Sequence, residues 1–434
     1  MLFLGLTLMA MLLVTFAVGL HVAAALGITA IVVGELFSAR SLFPILSTIP
    51  WNALNNTTLV ALPLFVLMGE ILLRSGVTEG MYQSLSRWLN RLPGGLLHTN
   101  IAASAMFACI SGSSAATAAT VGGVALPYLQ REGYSHSMSL GSLAAGGTLG
   151  ILIPPSVVMI VYGVLAEASI GQLYMAGIVP GLLMVGLFMV SIIAAALIRP
   201  STAPKAPSST WREKLLGIVP ILPIAFLMFL VLGTIYLGVA TATEAAALGV
   251  AGSFLISLLN RRVNRAMLRD TFLSTASTTS MIMFILIGAF LLQFVVSYLG
   301  LPTAMTKMIV GLGLSPMQFI LLMCVLYIIL GMFMESLSIV VITVPVILPI
   351  LKTLGIDLVW FGIILVILVE VALITPPVGM NLFIVQGMSN RVKSANPGRP
   401  RDIYIGILPF LVSMLATLGL IIAFPQLALW LAGR

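Results

Sequence analysis

The sequence predicts an all-α polytopic membrane protein built from two inverted-topology repeats. Three observations carry that prediction. Hydrophobic residues make up 60% of the 434-residue chain and charged residues only 7%, too few to cover a soluble surface of this size. Apolar runs of about 20 residues recur along the chain, the length needed to span a bilayer as a helix. The chain also matches itself at an offset of 222 residues, where Pro154–Pro155 and Pro376–Pro377 interrupt two apolar segments in the same way. A β-barrel would instead show alternating segments of about ten residues, and these are absent. Residues 1–20 lack the basic start of a secretion signal and run straight into a second apolar stretch, so they read as a first span.

The repeat sets the organisation. "AAALG" at 23–27 meets "AAALG" at 245–249, and Val124, Pro127, Leu129 and Gly133 meet Val346, Pro349, Leu351 and Gly355. With a slip of three residues, Phe65 and Gly69 meet Phe284 and Gly288. Matched prolines and glycines over such a length are far less accidental than matched apolar residues. The first repeat is placed at 1–200, a polar, proline-rich cytoplasmic linker at 201–214, and the second repeat at 215–434.

In the first repeat the spans are expected at 2–20, 21–38, 58–75, 137–166 and 176–198. Residues 41–57, with Pro44, Pro50, Trp51 and two asparagines, read as an interfacial amphipathic segment. Residues 99–129 are apolar but interrupted by "SGSSAATAAT", which suits either one long span or a hairpin that enters and leaves on one side. The basic residues decide. With 99–129 and its counterpart 317–351 taken as hairpins, each half has five spans and the halves are inverted. Arg74, Arg87, Arg91, Arg131, Arg199, Lys205, Arg212, Lys214, Arg261, Arg262, Arg265, Arg269, Arg391, Lys393, Arg399 and Arg401 then share one face, and only Arg40, Lys307, Lys352 and Arg434 lie on the other. Sixteen against four is a strong positive-inside bias. Both termini are therefore expected outside the cytoplasm. The net charge of +8 belongs to this topology and not to nucleic-acid binding.

The broken helices carry the chemistry. Backbone released from a helix at membrane depth must be satisfied by protein, water or an ion. Inverted repeats with discontinuous helices describe a secondary transporter whose site lies near the midplane. The first repeat supplies the tip "SGSS" (111–114) and the broken helix 137–166, with "GGTLGILIPPS" at 146–156; the second supplies "GMFMES" (331–336) and the broken helix 359–388, with "EVALITPPVGMN" at 370–381. Oxygen-rich tips without an array of carboxylates suit Na+ better than a divalent ion. Half-helix N-termini favour an anionic substrate group.

Glu335, at the second tip, and Glu370, five residues before Thr375, are intramembrane carboxylates and functional candidates, with helix packing as the alternative role. Glu70 is expected to pair locally with Arg74 at i,i+4, and Glu244 to end a span at the outer face. Cys109 and Cys324 read as small packing residues. His21, His98 and His136 form no ligand spacing, and no nucleotide-binding loop is present.

Four stretches resemble the large membrane subunit of tripartite ATP-independent periplasmic (TRAP) transporters, the DctM-like family. They are "ALPLFVLMGEILLRSG" (61–76), "NIAASAMFACISGSSAATAATVGGVALP" (100–127), "GTLGILIPPSVVMIVYG" (147–163) and "ITPPVGMNLFIV" (374–385). The resemblance runs essentially end to end. It implies a sodium-driven importer in a bacterial inner membrane, multi-pass, with both termini periplasmic. The implied cofactors are two or more Na+ ions and no organic group. The implied partners are a small four-helix membrane subunit, expected as a separate chain because Met1 opens directly on the first span, and a soluble periplasmic substrate-binding protein.

Transport in the family is elevator-like. Hairpins and broken helices move against a scaffold of the other spans through amphipathic arms, here placed at 41–57 and 263–279. Carried over residue by residue, the resemblance assigns a first sodium site to Ser111, Gly112, Ser113, Ser114, Gly147, Thr148 and Pro154. It assigns a second to Gly331, Glu335, Ser336, Thr375, Pro376 and Gly379. The substrate, a small organic anion of carboxylate type, is placed between the tips near Ser113, Thr117, Ser156, Glu335 and Asn381.

Two other readings compete. A standalone sodium–dicarboxylate symporter of the same superfamily would need no binding protein. An intramembrane serine hydrolase using the "SGSSA" serines lacks a G-x-S-x-G elbow, and its histidine candidates, His98 and His136, lie near loops.

Overall fold

The computed structural model describes residues 2–39, 41–204, 210–391 and 400–433, and these fold almost wholly into helices. The first half runs α1 (Leu2–Ala17), α2 (Val22–Phe37), α3 (Phe43–Leu46), α4 (Thr48–Leu54), α5 (Ala61–Arg74), α6 (Val77–Leu89), α7 (Leu96–Ser111), α8 (Ser114–Arg131), α9 (His136–Leu152), α10 (Val157–Ala166) and α11 (Ile170–Ile198). After the short α12 (Trp211–Leu216), the second half runs α13 (Leu222–Tyr236), α14 (Ala242–Leu259), α15 (Arg265–Tyr298), α16 (Leu301–Gly311), α17 (Pro316–Gly331), α18 (Ser336–Thr353), α19 (Leu358–Ile374), α20 (Met380–Arg391) and α21 (Pro400–Ala423).

Helices start where the sequence supplies caps. Thr241 and Glu244 form a capping box at the start of α14, and Ser315 and Gln318 form another at α17. Glu244 therefore begins a span; the expectation that it ends one fails because its carboxylate accepts the Thr241 backbone N–H at 2.8 Å. Asp357 accepts N–H bonds from Val359 and Trp360 at 2.8 and 2.9 Å and starts α19.

Length and apolarity alone qualify seven helical stretches among the described residues as able to cross a membrane: 57–74, 136–166, 170–198, 242–259, 265–298, 336–353 and 401–423. The expected spans at α1 and α2 are apolar but shorter, 16 residues each, or about 24 Å of helix, and α13 has 15 residues. The pair α16–α17 is bent by 119° at its break. Of the residues in the charge split, Arg40, Lys205, Lys393, Arg399 and Arg434 lie outside the described residues, as does part of the linker.

Packing pairs the two halves reciprocally. Helix α2 lies on α15 and α14 on α5; α8 meets α20 and α18 meets α10; α9 meets α21 and α19 meets α11. Helices α9 and α19 occupy the interior. Every residue from Met138 to Leu152 is buried, as is every residue from Phe361 to Ile374. Helices without a polar stripe belong in such a place. The outer helices show large apolar side chains instead, among them Phe226 and Phe229 on α13.

The two segments placed as arms differ from each other. Residues 41–57 form the short helices α3 and α4, as suits a segment broken by Pro44, Pro50 and two asparagines. Residues 263–279 are no separate arm. They lead into α15, one helix of 34 residues and about 51 Å long, because nothing between Arg265 and Tyr298 breaks it. The linker helix α12 docks on α6. Trp88 Nε1 donates to the Lys214 carbonyl at 3.0 Å, and the Lys214 ammonium lies 5.7 and 5.4 Å from the Trp88 and Trp211 rings.

Candidate functional site

Helices α7 and α8 are joined only by Gly112 and Ser113, and they pack against each other and against α9. Gly112 makes the turn in the left-handed region, at φ +57°, which glycine adopts without strain. Its carbonyl accepts from Val157 N–H at 3.3 Å, so the turn rests on the first residue of α10. The approach is close: a Cβ on Gly150 would lie 2.5 Å from the Ser113 carbonyl oxygen. The other turn, residues 332–335, joins α17 to α18. There Gly331 packs so tightly on α19 that a Cβ would overlap Ala372. Both Pro-Pro bonds are cis, and each lies between two helix segments, α9 and α10 or α19 and α20.

These four features surround one cavity of about 320 Å³. Its walls are Ser111–Ala116 of the first tip, Glu335–Leu337 of the second, Val157 and Val158 after the first break, and Met380 and Asn381 after the second. The N-termini of α8, α10, α18 and α20 therefore all converge on it. Each brings the partial positive charge of a helix N-terminus, in part capped by Ser113, Ser156 and Glu335. The C-terminal ends of α7, α9 and α19 are also in the wall, at Ser111, Ile151 and Leu373, where carbonyl oxygens are in excess. The remaining wall comes from outside these elements: Val66, Gly69, Glu70 and Leu73 of α5 and Thr278, Met281 and Ile282 of α15.

Among the residues assigned to the first sodium site, Ser111, Gly112, Ser113 and Ser114 line this cavity. The Ser111 hydroxyl lies 2.7 Å from that of Thr117, and Thr117 donates to the Ser113 carbonyl at 2.8 Å. Pro154 is buried at the break. Gly147 and Thr148 sit one to two turns deeper. Gly147 faces Ala118 of α8, and Thr148 donates to Ala145 within its own helix at 2.8 Å.

For the second site, Glu335 and Ser336 line the cavity. Thr375 donates to Val371 at 2.5 Å. Pro376 is exposed, Gly379 is buried at φ +53°, and Gly331 packs on Ala372.

The residues placed near the substrate scatter more. Ser113, Glu335 and Asn381 line the cavity. Thr117 is buried just behind Ser111. Ser156 is fully buried and caps α10, accepting from Met159 N–H at 3.4 Å. Asn381 already straps the halves together: its amide donates to the Ser114 hydroxyl at 2.7 Å and to the Ala144 carbonyl at 3.1 Å. Glu335 likewise has a local task. Its carboxylate accepts from Leu337 N–H at 3.0 Å, Ser338 N–H at 3.3 Å and the Ser336 hydroxyl at 2.6 Å, capping α18.

Glu70 pairs with Arg74, as expected from the i,i+4 spacing, and also faces the cavity. Glu370 is fully buried, and neither of its oxygens has a hydrogen-bond partner among the described residues. Cys109 and Cys324 are buried and unbonded to each other. His98 lies 2.8 Å from the Pro93 carbonyl, and neither it nor His136 lines the cavity.

The α5 and α15 walls were missed in the sequence. A signal was present, since Gly69 belongs to the repeat match. A Cβ there would sit 2.9 Å from the Ile110 carbonyl, so glycine lets α5 approach the first tip.

Comparison with known proteins decides what this arrangement belongs to. Residues 9–427 match the family model for the DctM component of tripartite ATP-independent periplasmic transporters. The chain belongs to the DctM family. It is a large membrane component of a transporter and not an enzyme. The C4-dicarboxylate TRAP transporter large permease protein DctM of Pseudomonas aeruginosa is 37% identical, over 86% of this chain and 85% of that one. The sialic acid TRAP transporter large permease protein SiaM of Vibrio cholerae is 30% identical, over 88% and 87%. The isethionate TRAP transporter permease protein DctMQ of Oleidesulfovibrio alaskensis is 32% identical, covering 96% of this chain and 64% of that longer one. Among solved structures, the YdaH transporter of Alcanivorax borkumensis aligns with a TM-score of 0.61 over 94% of this chain and 98% of its own, at 17% identity. That likeness shows a shared fold. The DctM fold in this chain is thus an all-α, multi-pass membrane protein whose broken helices and turns enclose one cavity.

Proposed function

We propose that the chain is the sodium-coupled transport subunit of a TRAP system, importing a small organic anion across a bacterial inner membrane. The observation that carries this reading is the convergence of four helix N-termini on one cavity that also holds hydroxyl and carbonyl oxygens. The charged side chains among the lining residues are Glu70 and Glu335, both acidic. An anion entering alone would meet helix dipoles but no basic side chain. Na+ bound first at Ser111–Ser114 and beside Glu335–Ser336 would offset the carboxylates and complete the anion site. Coupling then follows from order: cation before anion.

The cavity lies between two sets of helices, the hairpins with their broken helices on one side and α5 with α15 on the other. An elevator motion would carry the first set past the second. The reciprocal packing supports two inverted repeats, 1–200 and 215–434, with the hairpins re-entrant and both termini periplasmic. A small membrane subunit and a soluble periplasmic binding protein complete the system. Relatives named for C4-dicarboxylates, sialic acid and isethionate support an organic acid as the substrate class.

The test is uptake by the chain reconstituted with its small subunit. An outward-to-inward Na+ gradient should drive accumulation of a radiolabelled organic acid only when the binding protein is supplied. Equal uptake in K+ would reject sodium coupling, and full uptake without the binding protein would favour a standalone symporter.

A further inference from the structure

A second concavity, of about 300 Å³, lies away from the transport cavity and shares no residue with it. It is lined by α5, α14 and the first turns of α15, and apart from the Thr271 hydroxyl its lining side chains are hydrocarbon. Each helix presents a stripe. On α5 the lining residues are Leu67 and Ile71; on α14 they are Ala247, Val250, Ala251 and Phe254; on α15 they are Leu268, Thr271 and Phe272. Phe254 and Phe272 are exposed at its mouth.

Each stripe runs on into an arginine at the same end of the molecule. Arg74 follows Ile71 by three residues on α5. Arg261 stands at i+7 from Phe254, just beyond the end of α14. On α15, Arg265, Leu268, Arg269 and Phe272 stand at i, i+3, i+4 and i+7, which places two arginines on the face of the groove. The ends of α5 and α14 are held together there, since Asn260 Nδ2 donates to the Ser75 carbonyl at 3.2 Å, and α15 starts five residues after Asn260.

Arg74 is occupied by Glu70. Arg261, Arg265 and Arg269 are exposed and make no ion pair among the described residues. Within the groove, the Thr271 hydroxyl is buried and has no hydrogen-bond partner among the described residues. An apolar slot with exposed aromatic side chains beside it, ending in guanidinium groups free of ion pairs among the described residues, complements an acyl chain joined to an anionic phosphate. We propose that this groove is a binding site for an anionic phospholipid of the surrounding leaflet. The phosphate lies against Arg265 and Arg269, an ester carbonyl accepts from Thr271, and one acyl chain runs between Ile71 and Phe254. The lipid would thereby fix the base of α15, the helix that forms one wall of the transport cavity.

The experiment uses the purified full chain, delipidated in mild detergent and titrated with phosphatidylglycerol or phosphatidylcholine of the same acyl composition. Native mass spectrometry reads the bound fraction. Wild type should retain phosphatidylglycerol in preference to phosphatidylcholine. Arg265→Gln with Arg269→Gln should weaken phosphatidylglycerol about thirtyfold, roughly fivefold for each arginine lost near a membrane surface, and leave phosphatidylcholine unchanged. Ala251→Trp, which fills the slot from an exposed position, should weaken phosphatidylglycerol with every arginine intact, and it decides the matter if the double variant does not fold. Phosphatidylglycerol held equally by wild type and by the double or the Trp variant overturns the proposal. So does a wild type that does not distinguish the two lipids. A photo-crosslinker at Phe254 that captures a co-expressed small membrane subunit, and no lipid, would show the groove to be a protein interface and would equally overturn it.

Discussion

The two tip-and-break pairs match in sequence position and differ in how they are closed. The first is sealed. Pro154, Pro155 and Ser156 are buried, Gly112 and Val157 are hydrogen-bonded, and Ser111, Ser113 and Thr117 form a hydroxyl–carbonyl cluster beside them. The second is open. Pro376, Pro377 and Val378 are exposed, and Glu335 spends its carboxylate on the N-terminus of its own helix. Equal breaks in the chain therefore do not give equal sites. Neutral oxygens packed by close helix approach surround the first tip; a single carboxylate stands at the looser second tip.

The contrast is broken most severely at the close approaches. Gly150→Val would drive side-chain carbon into the Ser113 carbonyl, where even a Cβ falls at 2.5 Å. Overpacking of this kind costs about 1–3 kcal/mol, and the first tip cannot yield without opening its hydroxyl cluster. Sodium-driven uptake should be lost, with a lowered melting temperature of the purified protein. Near-normal uptake would mean that the first tip does not need its closed geometry.

A smaller effect is expected from the strap between halves. Asn381→Ala removes the bonds to Ser114 and Ala144 and leaves the Ser114 hydroxyl without them. Losing such buried hydrogen bonds costs about 1–3 kcal/mol in stability. If Asn381 acts chiefly as a strap, Ser114→Ala should lose little more once Asn381 is already Ala. A double-mutant cycle on melting temperature reads that coupling; full additivity would show that the two residues act separately.

Smaller still are the single hydroxyls. Ser113→Ala should raise the Na+ concentration for half-maximal uptake several-fold, about the worth of one hydrogen-bond-strength contact of roughly 1 kcal/mol. Thr375→Ala should do less, because Thr375 is buried and, unlike Ser113, does not line the cavity. The reverse order in a sodium titration would place the tighter cation site in the second half.

Much of this was legible in the sequence because proline and glycine act locally. Pro154–Pro155 and Pro376–Pro377 break a helix wherever it packs, and the SGSS turn needs a left-handed residue whatever surrounds it. The tips, the breaks and the Glu70–Arg74 pair therefore stood in the chain as read. What surrounds them did not. Helices α9 and α19 are buried on every side, so no periodicity distinguishes the face of Thr148, which packs away, from that of Ile151, which lines the cavity. Whether 263–279 was a separate arm or part of a 34-residue helix depended on the absence of a breaker, a weaker signal than the prolines that divide 41–57. The cap made by Glu335 followed a rule of helix starts that applies equally to a cation ligand, since both uses need the same exposed oxygen at the same N-terminus.

Glu335 is therefore where the contrast is tested most directly. Glu335→Gln keeps one oxygen to accept from Leu337 and Ser338, so α18 should still start and the protein should express and assemble. It removes the charge. Sodium titration of uptake in one lipid mixture, for wild type and Glu335→Gln, should then show half-saturation moved to higher Na+ with assembly unchanged. A Glu335→Gln variant with wild-type sodium dependence would contradict the account, reducing the carboxylate to a helix cap and leaving the second tip without a charged cation ligand.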